Sequence, residues 1–285
     1  MIRFLQILVL SCLAVLLVSC EGAKDKPIWE DVKISDLAPA HNGKRPSDQS
    51  LKTINFGVYV FELPAENISL LDEVWAMLHS WPIQFVDYSG FRANSFSVGI
   101  GEIEIWSKIA ESLDAAEAKK APLVSLFLSD GQADDIAVAA IRREQTISYA
   151  SAGAAMVGAT VGPGRLALRI IARKVPGSRG VCYVEVHPVF SPPVASAIPH
   201  LAARAKAAEL PFVPAGFALK MSPGDFILLG PKEYIGDKIT LGGLLFSMPE
   251  GRLFYPRSEG KPLLNKPERK PAVRVFLLVC TSINV

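Results

Sequence analysis

Between Thr53 and Lys120, apolar residues alternate between a spacing of two and a spacing of three to four. The first spacing marks a strand and the second a helix with a buried stripe. "TINFGVYVF" places Ile54, Phe56, Val58 and Val60 on one alternation, which predicts a strand with one buried face. "PAENISLLDEVWAMLHS" carries Ile68, Leu71, Trp75 and Leu78 at helical spacing, with Pro64 at a tolerated early position. "PIQFVDYSGF" and "ANSFSVGIG" read as two short strands, and in the second Phe96, Val98 and Ile100 alternate with serine and glycine. "EIEIWSKIAESLDAAEAKK" predicts another amphipathic helix, with Ile105, Ile109 and Leu113 on one face and lysines at its C-terminal end. The order predicts a βαββα module over residues 52–121, two helices covering one face of a small sheet.

Beyond Pro122 the helical spacing fades. "LVSLFLSDGQADDIAVAAI" predicts a hairpin turning at Ser129-Asp130-Gly131. Strands are expected around Leu166 to Ala172 and Val181 to His187, separated by "KVPGSRG". "SAIPHLAARAKAAEL" fits a short helix or a loop. "FILLGP", "KITLGGLLF" and "AVRVFLLVCTSINV" read as later strands. The expected class is therefore α+β: the small βαββα module, then a mainly antiparallel β-rich module over residues 122–285. A chain that is 50% hydrophobic and 20% charged has ample material for such a core.

The N-terminus has a different character. "MIRFLQILVLSCLAVLLVSC" joins an early cation, Arg3, to an apolar core too short for a bilayer, which needs about 20 apolar residues. These are the parts of a secretory signal. Leu17-Val18-Ser19-Cys20 resembles a bacterial lipobox. The resemblance implies a signal peptide over residues 1–19, cleavage before Cys20, and lipid attached to the Cys20 sulfur. It also implies a bacterial cell-envelope location, with the periplasmic face of the outer membrane as the expected side; Glu21 does not settle which membrane. Residues 20–51 mix charges, prolines and polar groups without an apolar stripe, and are expected to act as a flexible tether.

A second resemblance covers Thr53 onward. "FRANSFSVGIGEIEIWSKIAESLDAAEAKKAPLVSLFLSDGQADDIAV" is similar to the passage from a ring-building periplasmic domain into the β-domain of bacterial secretins. Asn94-Ser95, Leu113-Asp114 and Asp130-Gly131-Gln132 carry it, with "LKMSPGDFILLGP" and "VRVFLLVCTSI" near the C-terminus. It implies a secretin-like component working through protein partners or self-association. The family's proline-rich signature is not recognisable in "GRLFYPRSEGKPLLNKPERKP", and the β-rich part is short for a double-walled barrel, so no channel is inferred.

Chemistry-bearing motifs are sparse. His41, His79, His187 and His200 lie far apart, without the H-E-x-x-H spacing of a zinc site. No C-x-x-C pair, nucleophile elbow or P-loop occurs. "GIGEIE" joins a strand to a helix, but Glu104 stands where a dinucleotide loop has its third glycine and would repel a pyrophosphate. Asp130, Asp134 and Asp135 lack the EF-hand pattern and read as a hairpin tip. No catalytic residue, metal ligand or cofactor is expected, and a formal net charge of +2 gives no reason to expect nucleic acid. Cys182 and Cys280 each sit in a strand-like apolar run, as either a disulfide or two buried thiols; the pattern leaves both open. The expected function is a non-enzymatic structural or assembly component of a secretin-like system. The alternative is a monomeric periplasmic ligand-binding lipoprotein.

Overall fold

A computed structural model describes residues 53–193, 207–236, 239–255 and 267–284. The signal, Cys20, the tether and most of the alanine-rich segment lie outside these residues. The described part is an α+β fold dominated by antiparallel sheet.

Two long strands make its spine. β1 (Thr53–Pro64) pairs antiparallel with β15 (Glu268–Ile283) along nearly its whole length, from Ile54 opposite Ile283 to Pro64 opposite Ala272. On the far side of β15 lies β13 (Phe226–Pro231), followed by β3 (Phe96–Gly101). On the far side of β1 lie β4 (Lys119–Lys120) and β5 (Val124–Ser129). β14 (Ser247–Phe254) also pairs with β15. A second sheet runs β2 (Gln84–Phe85), β12 (Phe217–Met221), β10 (Cys182–Ser191), β9 (Gly164–Lys174) and β6 (Ala133–Ile141), with β11 (Leu210–Pro211) beside β10. β7 (Gln145–Ala150) and β8 (Met156–Val161) form a separate hairpin that the sequence reading did not anticipate.

The sheets face each other across one apolar core that includes Phe56, Leu168, Val184, Phe217 and Leu278. A second core lies on the other face of the first sheet. There α1 (Leu71–Met77), entered through a 3₁₀ turn at Ala65–Leu70, and α3 (Trp106–Ala115) press Leu71, Val74, Ile109 and Leu113 onto Phe61, Val275 and Leu277. The layers are thus helices, sheet, sheet. Both helices form, shorter than the spacing suggests, with Leu71, Ile109 and Leu113 buried as expected and Val74 and Trp106 buried with them. Ile68 and Ile105 lie in 3₁₀ turns and, like Trp75 and Leu78, are half-buried, and Lys119–Lys120 form β4 instead of a helix end.

β1 differs from the expected one-faced strand. Its first half turns Ile54, Phe56 and Val58 into the core between the sheets, and its second half turns Tyr59, Phe61 and Leu63 toward the helices. β15 does both at once, with Phe276, Leu278 and Cys280 facing one core and Val275, Leu277 and Val279 the other. A central strand covered on two sides is apolar in both alternations.

Other expectations need correction. β1 and β3 are not neighbours: β15 and β13 lie between them, so strands from the far end of the chain complete the sheet under the helices. The expected strand over residues 82–91 is only Gln84–Phe85, followed by helix α2 (Tyr88–Ala93). Asp87 caps that helix, accepting from the Ser89 N–H at 3.0 Å, and a buried Phe91 packs against Phe85, Phe96 and Phe217. The turn after Ser129 exists, with the Gln132 N–H donating to the Ser129 carbonyl at 2.9 Å, yet its arms part. β5 joins β1 in the first sheet, whereas β6 joins β9 in the second. It is a crossing between sheets and not a hairpin. "KITLGGLLF" holds helix α4 (Leu241–Phe246) in place of a strand. The Thr240 hydroxyl accepts from the Gly243 N–H at 3.1 Å, and every residue of α4 is buried. A short apolar run without polar alternation does not distinguish a buried helix from a buried strand.

Candidate functional site

A well-formed concavity lies where the two sheets meet at one end. The segment leaving α1 lays His79 against Ile100 of β3, with backbone N–H to carbonyl bonds of 2.9 Å in both directions. This close approach depends on glycine. A Cβ on Gly99 would come within 2.5 Å of the Leu78 Cβ, and one on Gly101 within 2.4 Å of the Phe226 ring. The "GIG" of "GIGEIE" is therefore explained by packing, since both glycines admit a neighbour's side chain.

Against this edge opens a cleft of about 640 Å³, lined by His79, Trp81, Ile100, Glu102, Lys220 and Asp225 among others. Trp81 is 84% exposed. The lining carries both charge signs, with Glu102 and Asp225 on one hand and Lys220 on the other. Asp225 sits in the turn between β12 and β13, and its carboxylate accepts from the Ser222 N–H at 2.7 Å. Burial pushes that carboxyl above the usual range; the Glu102 and Glu104 charges add to the effect, while the Ser222 bond opposes it. An aromatic ring beside mixed charges can hold a small polar molecule or a peptide end by stacking and ion pairing.

Directly behind Asp225 lies the cysteine pair. Its carbonyl accepts from the Cys280 N–H at 3.0 Å, and the Cys280 carbonyl accepts from the Gly224 N–H at 2.9 Å. Cys182 of β10 and Cys280 of β15 come from opposite sheets, are fully buried in the same core, and are free thiols. Nothing in their local sequence signals this meeting; it follows from stacking one sheet on the other.

A second polar array decorates the outer face of the β10 sheet. Arg169 forks to Asp135 at 2.7 and 2.8 Å and to Glu209 at 2.7 and 3.1 Å. The Ser191 hydroxyl donates to Glu209 at 3.1 Å. Hydrogen bonds to Arg169 hold the Glu209 carboxyl below the usual range. His187 stands directly opposite Arg169 across the ladder. Burial, reinforced by the Arg169 charge, pushes its imidazole below the ordinary histidine value. This array ties β6, β9 and the chain entering β11 together.

The other residues marked in the sequence have structural roles. Asn94 is buried. Its Nδ2 donates to the Gly90 carbonyl at 2.7 Å and to the Ala150 carbonyl at 3.1 Å, and its Oδ1 accepts from the Ala150 N–H at 2.9 Å, so it pins the β7 hairpin to α2. Asp130 accepts from the Lys174 N–H at 2.8 Å, and Gly131 adopts φ +76°. Asp87 caps helix α2, in which Gly90 and Phe91 are buried; Glu73, Lys108 and Glu111 on the other two helices are exposed. Among the described residues, no group of three or more His, Cys, Asp or Glu side chains could hold a metal ion, and no helix is long and apolar enough to cross a membrane. Compared with known proteins, the chain matches no family model and no curated sequence.

Proposed function

We propose that the protein is a non-enzymatic binding lipoprotein of the bacterial cell envelope. Lipid on Cys20 holds it at the membrane, residues 20–51 act as the tether, and the folded body presents the His79–Asp225 cleft to a small polar or zwitterionic ligand. The cleft carries this reading, because it joins an exposed aromatic ring to both signs of charge at a rigid junction of two sheets. The test is native mass analysis of protein extracted from its own membranes. A small molecule should co-purify with the wild type and be lost in Lys220→Glu and Trp81→Ala. Equal recovery from wild type and both variants would overturn the cleft as its site.

A second reading keeps the protein as an assembly component of a secretin-like system. It is supported by Trp81, Val86 and Tyr88, all exposed on one short segment that starts at the cleft's Trp81, where a protein partner would cover them. Size in mild detergent separates the two. A ring or large oligomer favours assembly, and a clean monomer with bound ligand favours the cleft. Both readings require the anchor. Palmitate label incorporated equally into Cys20→Ser and wild type would remove it.

A further inference from the structure

We infer that Cys182 and Cys280 close a disulfide between the two sheets when the chain folds in an oxidising compartment. The inference takes its compartment from the envelope reading above, and its geometry from the fold alone.

Cys182 is the first residue of β10, directly opposite Met221, and its thiol donates to the Met221 carbonyl at 3.5 Å. Cys280 stands on β15 opposite Phe56. Their strands belong to different sheets, and both side chains are buried in the core between those sheets. Beside them the turn from β12 to β13 carries the chain from one sheet to the other. It is clamped onto Cys280 through Gly224 and Asp225. A bridge here would add a covalent link between two layers joined at this end by that turn, by the Ser129–Gln132 crossing, whose Asp130 accepts from the N–H of Lys174 opposite Cys182, and by apolar packing.

The exchange is open to either thiol. One cysteine thiolate attacks one sulfur of a small disulfide oxidant such as glutathione disulfide, forming a mixed disulfide and releasing one reduced thiol. The other cysteine's thiolate then attacks the protein sulfur of that mixed disulfide and expels the second thiol. The protein loses two electrons and two protons, and the oxidant's disulfide is reduced to two thiols. Both sulfurs are sealed from solvent in the closed fold, so the exchange belongs to folding, before the sheets close. Once formed, the bridge is sheltered from reductant.

The full chain carrying Cys12→Ser and Cys20→Ser retains only these two thiols. Refolded from denaturant with reduced and oxidised glutathione, it should show no reactive thiol after a second denaturation. A peptide map should join residues 182 and 280. Its melting temperature should exceed that of the same chain refolded in reductant by roughly 5 to 15 °C. In the native state the bridge should resist a reductant that opens it at once in denaturant. Two thiols still titrating after oxidising refolding, or a bridged form melting no higher than the reduced one, would overturn the inference. Cys182→Ala/Cys280→Ala serves as a reference. Should that variant not fold, the oxidised and reduced forms of the same chain still decide. Alkylation trapping in cells addresses location separately: a chain that bridges in the tube and carries free thiols in cells leaves the inter-sheet geometry standing and sinks the envelope reading.

Discussion

The outer faces of the two sheets have opposite characters. On the first sheet, Tyr59, Phe61, Val275 and Leu277 turn outward and are buried, because α1 and α3 cover them. On the second, Arg165, Arg169, Arg173, Glu185 and His187 turn outward and remain in partial contact with solvent. The inner faces do not differ in this way; both are apolar. The outward face is continuously apolar where helices lie on it, and carries charge where they do not. The helices themselves are short, with too few turns to persist alone, and they depend on the sheet as much as the sheet face depends on them.

The most severe test of this contrast is a charge beneath the helical cover. Ile109→Asp or Leu71→Asp places a carboxylate in a fully dehydrated core and should abolish the cooperative melt, a loss of several kcal/mol. A wild-type melting curve for either variant would mean that the cover is not packed as described. On the open face the largest effect should come from Arg169→Ala, which takes the shared guanidinium from two partly buried carboxylates, leaving Asp135 its longer contact with Arg165 at 3.7 Å and Glu209 the Ser191 hydroxyl. The expected cost is about 1 to 3 kcal/mol by urea titration. A loss as large as that of Ile109→Asp would erase the distinction between the faces.

Titration sharpens the comparison further. The folded value of His187 is depressed, so the native state binds fewer protons there than the unfolded chain. Its contribution is fully present above the ordinary histidine value and is lost as pH falls through the folded one. Stability should therefore drop from pH 7 to 5, and His187→Gln should flatten that part of the profile. An unchanged slope in the variant would show that the open face is fully wet. Asp225 has the opposite sign. Its folded value is raised, so its contribution is present at low pH and lost as pH rises. Asp225→Asn should melt slightly higher than wild type at pH 7, by less than about 1 kcal/mol, and no higher at pH 3. The smallest effect should come from reversing Glu73, Lys108 and Glu111 together. All three lie on the exposed side of the helices, and the change should stay within roughly 0.5 kcal/mol per site.

The amino-acid pattern by itself determined the two helices on the first sheet, the strands β1, β3, β9, β10, β13 and β15, and the α+β class. Each of these depends on a periodicity that neighbouring residues carry. Tertiary structure alone decided which strands are neighbours, since hydrogen-bonded pairing leaves no periodic trace. That is why "SDGQ" reads as a hairpin although its arms enter different sheets, and why β15 comes to lie beside β1 from the opposite end of the chain. It also decided α4, whose six residues are buried on every side and so show no stripe. The candidate site was the least legible part. His79, Glu102, Lys220 and Asp225 come from separate elements, and Cys182 meets Cys280 only because one sheet is laid on the other. Local spacing records the face a residue presents to its own neighbours, whereas sites made between layers depend on contacts between distant segments.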